Sequence, residues 1–195
     1  MIAGSSKMLW GYSDLTTVLN GIYAKTGKES VLYQVRNLIS GHGEEQKANF
    51  AGTFLGGGKD LFRIRYRFLQ KKEMGGVIVG GNIRCFLKLA GTEFLPDLQD
   101  KILLLESCRG DPARIETYLR QLQQMGAFKK AAGILLGTFT QMEREQCVPT
   151  VETLVKEIAG GDLPIAVTGD IGHGTDAKGI IIGKKVYLEE SRGRL

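Results

Sequence analysis

Apolar residues in this chain switch between two spacings, and the switches mark out its elements. Leu15, Val18, Leu19, Ile22 and Tyr23 recur at helical spacing, with Asp14 placed to cap the helix and Gly27 to end it. Met8 to Tyr12, just before it, reads as a short strand. Phe62, Ile64, Tyr66 and Phe68 alternate with Arg63, Arg65 and Arg67, the period of a half-buried strand with a basic outer face. Val77-Ile78-Val79 predicts a further strand, and Gly80-Gly81-Asn82 leads from it into a helix carrying Ile83, Phe86, Leu87 and Ala90. The run Lys101-Ile102-Leu103-Leu104-Leu105-Glu106 reads as a buried strand. Asp111 and Pro112 then open a helix whose stripe is Ile115, Tyr118, Leu119, Leu122 and Met125. A strand over 132–139, a helix on Val151, Leu154, Val155 and Ile158, and a strand over 164–168 follow. Ile180-Ile181-Ile182 and Val186-Tyr187-Leu188, divided by Gly183, read as a closing hairpin. Residues 28–60 show no clear period. Strands alternating with helices from about residue 77 predict an α/β layered fold.

At 195 residues the chain is one domain, or one domain with part of another, and can bury a sizeable core. Cys85, Cys108 and Cys147 are scattered and form no CxxC pair, which argues against a disulfide framework or a structural zinc site and for a cytoplasmic protein. No apolar run approaches the ~18 residues of a membrane span, so no membrane partner is expected. The net charge of +5 and the arginine-bearing strand permit contact with an anionic partner. Single-stranded nucleic acid also needs a platform of stacking aromatics, which the pattern does not supply, so the basic face is read as a solvated one. Gly56-Gly57-Gly58-Lys59 lacks the spacing and the Ser or Thr of a phosphate loop and reads as a turn.

Candidate chemistry lies where apolar strands end in ionisable residues. Glu106 closes one such strand, and His173 follows another between Gly172 and Gly174. A carboxylate at a strand's carboxyl end is where α/β proteins present ligand-facing groups, and equally where a strand leaves for solvent. A glycine-flanked histidine serves proton transfer or simply a turn. A carboxylate and an imidazole make two parts of a nucleophile–His–acid triad. No Gly-x-Ser-x-Gly elbow supplies the third. His42 sits in a polar stretch. Asp170 and Asp176 stand near His173, but their spacing matches no firm metal signature. Cys108 has no local activation to make it a nucleophile.

Taken in order, these segments resemble one family. Lys7-Met8-Leu9-Trp10-Gly11-Tyr12-Ser13-Asp14-Leu15-Thr16 looks like the Gly-Tyr-Ser-Asp segment of the LD-carboxypeptidases, the muramoyltetrapeptide carboxypeptidases with which the microcin-immunity peptidases belong. Gly80-Gly81-Asn82, Leu95-Pro96-Asp97-Leu98, the strand ending at Glu106, Gly133 to Phe139, Gly172-His173-Gly174 and Ile182-Gly183 are similar to the blocks that follow in that family. The resemblance implies an α/β chain. Residues 1–30 would be a remnant of the N-terminal nucleophile domain and 31–75 a linker with the basic strand. Residues 76–195 would be a swivelling-type β/β/α C-terminal domain. It implies Glu106 and His173 as catalytic residues acting with a serine, and no cofactor or metal. The substrate would be a muropeptide, or a peptidyl-nucleotide antibiotic, cleaved at the amide bond to a terminal residue. A homodimer is open to it. By this mapping the serine lies upstream, in a Gly-Ser-x-Arg turn of a missing domain, and Ser13 is not the nucleophile. The chain alone would then be inactive, and an orphan ligand-binding domain is the alternative.

Overall fold

A computed structural model describes residues 2–190. The strands are β1 (Trp10–Gly11), β2 (Ser30–Leu32), β3 (Arg67–Gln70), β4 (Glu73–Asn82), β5 (Lys101–Ser107), β6 (Gly133–Phe139), β7 (Ile165–Val167), β8 (Ile180–Ile182) and β9 (Lys185–Glu189). The helices are α1 (Thr16–Thr26), α2 (Gly43–Phe54), α3 (Ile83–Leu87), α4 (Pro112–Gln124), α5 (Ala127–Lys130), α6 (Thr140–Arg144) and α7 (Val151–Ala159). They build two sheets. The larger has the order β3-β7-β6-β5-β4-β9, in which β4 to β7 are parallel and the two edge strands run against them. The smaller has the order β1-β2-β8. The expected α/β layering is what the chain adopts. Among the described residues no helix is long and apolar enough to cross a membrane.

The central strand β5 shows how one sequence run serves both faces. Leu103 and Leu105 pack with Ile115, Leu119 and Leu122 of α4 and with Leu154 and Val155 of α7. Ile102 and Leu104 face the other way, onto Leu19 of α1, Leu32 of β2 and Ile180 of β8. Strand side chains alternate, so Glu106, paired in register with Asn82, falls on the second face. That face carries α1 and the smaller sheet. The register with β6 shifts between Leu105 and Ser107, a bulge beside Glu106 of the kind that re-aims a side chain near a site.

Several expectations need correction. Asp14 does not cap α1: Leu15 holds the cap position, and the Asp14 carboxylate reaches α3 instead, 2.8 Å from Arg84 Nη2. The alternation at 62–68 holds in burial, with Ile64 and Tyr66 buried and Arg63, Arg65 and Arg67 exposed, but the strand ladder covers only Arg67–Gln70. Helix α2 lies in the stretch that showed no period. Phe50 and Phe54 anchor it on Trp10, with ring centroids 6.1 and 5.4 Å away. Ile180 to Leu188 is not a hairpin. β8 pairs with β2 in one sheet and β9 with β4 in the other, and the chain crosses between them at Gly183–Lys184. Both crossing residues bond to Ile78: Gly183 N–H donates to its carbonyl and Lys184 C=O accepts from its amide, at 2.8 and 3.0 Å.

A polar seam joins α1 to β4. Asn20, fully buried, donates through Nδ2 to Gly80 C=O and accepts from Gly80 N–H, both at 2.8 Å. Thr16 Oγ1 accepts from Asn82 N–H at 3.1 Å. These bonds fix the start of α1 against the carboxyl end of β4.

Candidate active site

Three side chains meet where the two sheets face each other. His173 Nδ1 lies 2.7 Å from Glu106 Oε2, and His173 Nε2 lies 3.2 Å from Ser13 Oγ. Glu106 is 2% exposed and the His173 side chain about a tenth. With a buried carboxylate on Nδ1, the ring carries its proton on that nitrogen and leaves Nε2 as acceptor for the Ser13 hydroxyl. Glu106 and His173 are brought together as the sequence led us to expect.

The motif mapping does not make Ser13 the nucleophile, yet the structure sets its hydroxyl against His173. Gly11 ends β1, Tyr12 is extended at φ −150°, Ser13 turns at φ +51°, and a 3-10 turn over Ser13–Leu15 runs into α1. A strand, a serine at positive φ and a helix share the backbone geometry of a nucleophile elbow, in which the sharp turn presents the side chain at the strand's end. The signal was present as Gly11-Tyr12-Ser13 at a strand-to-helix junction. It lacks the second glycine of the familiar pattern, and the family mapping sets Ser13 aside.

Neighbouring groups hold this arrangement. The Tyr12 ring packs on His173 with centroids 4.6 Å apart. Burial, reinforced by the negative charge of Glu106 and of Cys108, drives the Tyr12 hydroxyl far above the usual phenol range, so it stays protonated. Asp14, next to the serine, accepts from Cys85 Sγ at 3.0 Å and from Arg84. The Cys85 bond, with Arg84 and Lys88 assisting against a smaller desolvation effect, holds the Asp14 carboxyl below its ordinary range. Burial and the same bond push the Cys85 thiol up to about 11, so it stays protonated.

The His173 loop is pinned at several points. Gly172 sits at φ +148° against Thr138, where a β-carbon would collide, and Thr138 N–H donates to Ile171 C=O at 2.8 Å. Gly137 lets β6 pass close by: a β-carbon there would stand 3.0 Å from that of Glu106. Asn37 Nδ2 donates to Gly174 C=O and Ala177 C=O. His42 Nδ1 meets Thr175 Oγ1 at 2.7 Å, so His42 braces the loop from outside the Ser13–His173–Glu106 group.

Asp170 is not placed as a metal ligand. Its carboxylate accepts from Arg65 N–H at 2.7 Å and from Arg65 Nη2 at 2.8 Å. Burial opposes its ionisation, but the side-chain and backbone bonds from Arg65 outweigh that and hold the carboxyl below its ordinary range. Such a depressed carboxyl adds stability that is fully present above the unfolded value of about 3.9 and is lost as pH falls through the lower folded value. Asp170→Asn is therefore expected to lower the thermal midpoint by about 2–4 °C between pH 5 and 7, roughly 1 kcal/mol after discounting for the exposed arginine. The gap should close as pH is taken below about 4. Melting curves followed by circular dichroism across that range check it, and a gap that persists undiminished at low pH would refute the assignment.

A cavity of about 410 Å³ opens beside Ser13 and His173. Asn82, Arg84, Arg109 and Arg114 line it. Its charge is positive and it carries no carboxylate among its lining residues. Cys108 also lines it, apart from the Ser13–His173–Glu106 path.

Comparison with known proteins places this chain in a family. Residues 75–188 match the LD-carboxypeptidase C-terminal domain. A Synechocystis protein named as a carboxypeptidase is 30% identical over 194 residues, covering 97% of this chain and 63% of its own length. The murein tetrapeptide carboxypeptidase of Pseudomonas aeruginosa is 26% identical over 202 residues, covering 98% of this chain and 66% of its own. The chain thus spans under two thirds of the length of these relatives. The crystal structure of muramoyltetrapeptide carboxypeptidase from Oxalobacter formigenes superposes with a TM-score of 0.80 at 22% identity, over 99% of this chain and 67% of that one. The family match and the shared fold together make the chain a member of the LD-carboxypeptidases, with residues 75–188 as that family's C-terminal domain.

Proposed function

We propose that this chain carries serine-type LD-carboxypeptidase chemistry, with Ser13 as nucleophile, His173 as general base and Glu106 as the acid that orients it. The observation that carries the reading is the continuous hydrogen-bonded path from Glu106 through His173 to Ser13. Ser13 Oγ attacks the amide carbonyl that precedes a terminal D-amino acid, and His173 Nε2 takes its proton. His173 then gives that proton to the leaving amine while Glu106 stabilises the imidazolium. Water, activated by the same imidazole, releases the shortened peptide. The Asp14 backbone N–H, following the nucleophile at the start of a helix, is the natural donor to the developing oxyanion.

The substrate class we infer is a muropeptide ending in a free carboxylate, such as a tetrapeptide losing D-alanine, handled in the cytoplasm. The lining arginines support it. Among the described residues Arg109 and Arg114 make no ion pair, which leaves both guanidinium groups for a terminal carboxylate. Incubating the purified chain with a muropeptide tetrapeptide and with its C-terminal amide tests this. Free D-alanine is expected from the acid. Arg109→Ala should raise KM for the acid about 10- to 100-fold with kcat changed little, the equivalent of one charged hydrogen bond of about 1.5–3 kcal/mol. Equal turnover of acid and amide would defeat the carboxylate reading.

A further inference from the structure

We propose that this protein has a second ligand site, on the far side of the β8–β9 crossing, that takes a small amphipathic anion: an apolar body carrying a phosphate. The site is a cavity of about 320 Å³, within the size range of small-molecule pockets, and it shares no lining residue with the triad cavity. Its floor and walls are apolar. Ile78 of β4 is buried and Phe62 and Ile181 are partly buried, so an entering apolar group would be largely removed from water.

The rim is of one sign. Lys59, Arg63, Lys184 and Lys185 are the ionisable residues that line the cavity, and all are exposed. Arg63 has Asp60 at 3.9 Å, a loose contact, and among the described residues the three lysines make no ion pair. Four cations around an apolar floor repel one another until an anion joins them, and their field draws anions in. Lys184 and Lys185 are held there by the backbone. The crossing residues bond to Ile78, so the lysines are fixed to the same strand that supplies the floor. Head and body of the ligand are thus recognised by neighbouring residues of β4 and of the β8–β9 crossing bonded to it, which specifies a molecule with charge at one end and apolar surface at the other.

Titrating the purified chain with octyl phosphate, while following backbone amide NMR shifts, tests the proposal. Saturable shifts are expected at Ile78, Ile181, Lys184 and Val186. Affinity should fall about tenfold or more in Lys184→Glu/Lys185→Glu and by an intermediate amount in Lys184→Gln/Lys185→Gln. It should also fall as salt rises from about 0.05 M to about 0.5 M, because the Debye length shortens several-fold. Phenyl phosphate in parallel separates an aliphatic from an aromatic body, and saturable binding of either at these amides supports the site. Octanol, with the same tail and no charge, should not saturate it. Octanol binding as tightly as the phosphate, wild-type affinity in both lysine variants, or shifts centred on Ser13 and His173 instead would each overturn the proposal.

Discussion

Ser13→Ala is expected to reduce release of D-alanine from a muropeptide tetrapeptide by about six orders of magnitude, the loss measured when the serine of a well-studied protease is removed. The fall should lie in kcat, because the hydroxyl touches His173 and no cavity-lining arginine depends on it. The fold should be unaffected: alanine accepts the same turn at φ +51° with the same modest strain as serine, and His173 Nε2, the partner left behind, lines an open cavity where water can replace the hydroxyl. His173→Ala should be as severe, and the double variant hardly worse than either, since a triad acts as one unit. Coupled detection of free D-alanine, extended to overnight incubation, gives the needed range. Turnover that survives Ser13→Ala would remove Ser13 from the mechanism and return the search to a nucleophile elsewhere.

Glu106→Gln should cost about four orders of magnitude in kcat while leaving the protein folded. Two effects combine. The amide carries no charge to stabilise imidazolium. It can also donate to Nδ1, which moves the ring proton to Nε2 and turns the base that faces Ser13 into a donor. Stability should hold or rise slightly, because a carboxylate 2% exposed pays for its desolvation and an amide of the same shape does not. The reading requires that Glu106→Gln add little to His173→Ala. Losses that multiply would make Glu106 an independent contact with substrate.

Much of this was legible in the chain, for physical reasons that also mark the limits. Glu106 and His173 stood out because each follows a run of apolar residues, and a run of that length must be a buried strand with a defined end. Ser13 is set aside because the motif mapping puts the serine upstream, and the positive φ that turns its hydroxyl toward His173 is hard to read from a residue other than glycine. Aspartate after it also looks like a helix cap until Arg84 and Cys85, some seventy residues on, claim its carboxylate. Helix α2 was hidden because aromatic packing on Trp10, rather than an apolar stripe, holds it. The pairing of β8 and β9 was misread because two strands around a glycine look alike whether they pair with each other or with separate sheets. Partner choice is a long-range property that local pattern does not carry.

That crossing at Gly183 has a bearing on how the molecule can be divided. β8 belongs to the sheet that begins near the amino end, and β9, three residues later, edges the sheet that carries Glu106. No single cut in the chain therefore separates the two sheets. A polypeptide starting at residue 75 would still carry β8 into solution with its hydrogen-bonding edge bare and Ile180 and Ile182 uncovered, a sticky strand seeking β2. The two sheets are laced together by residues 180–189, which run from one into the other.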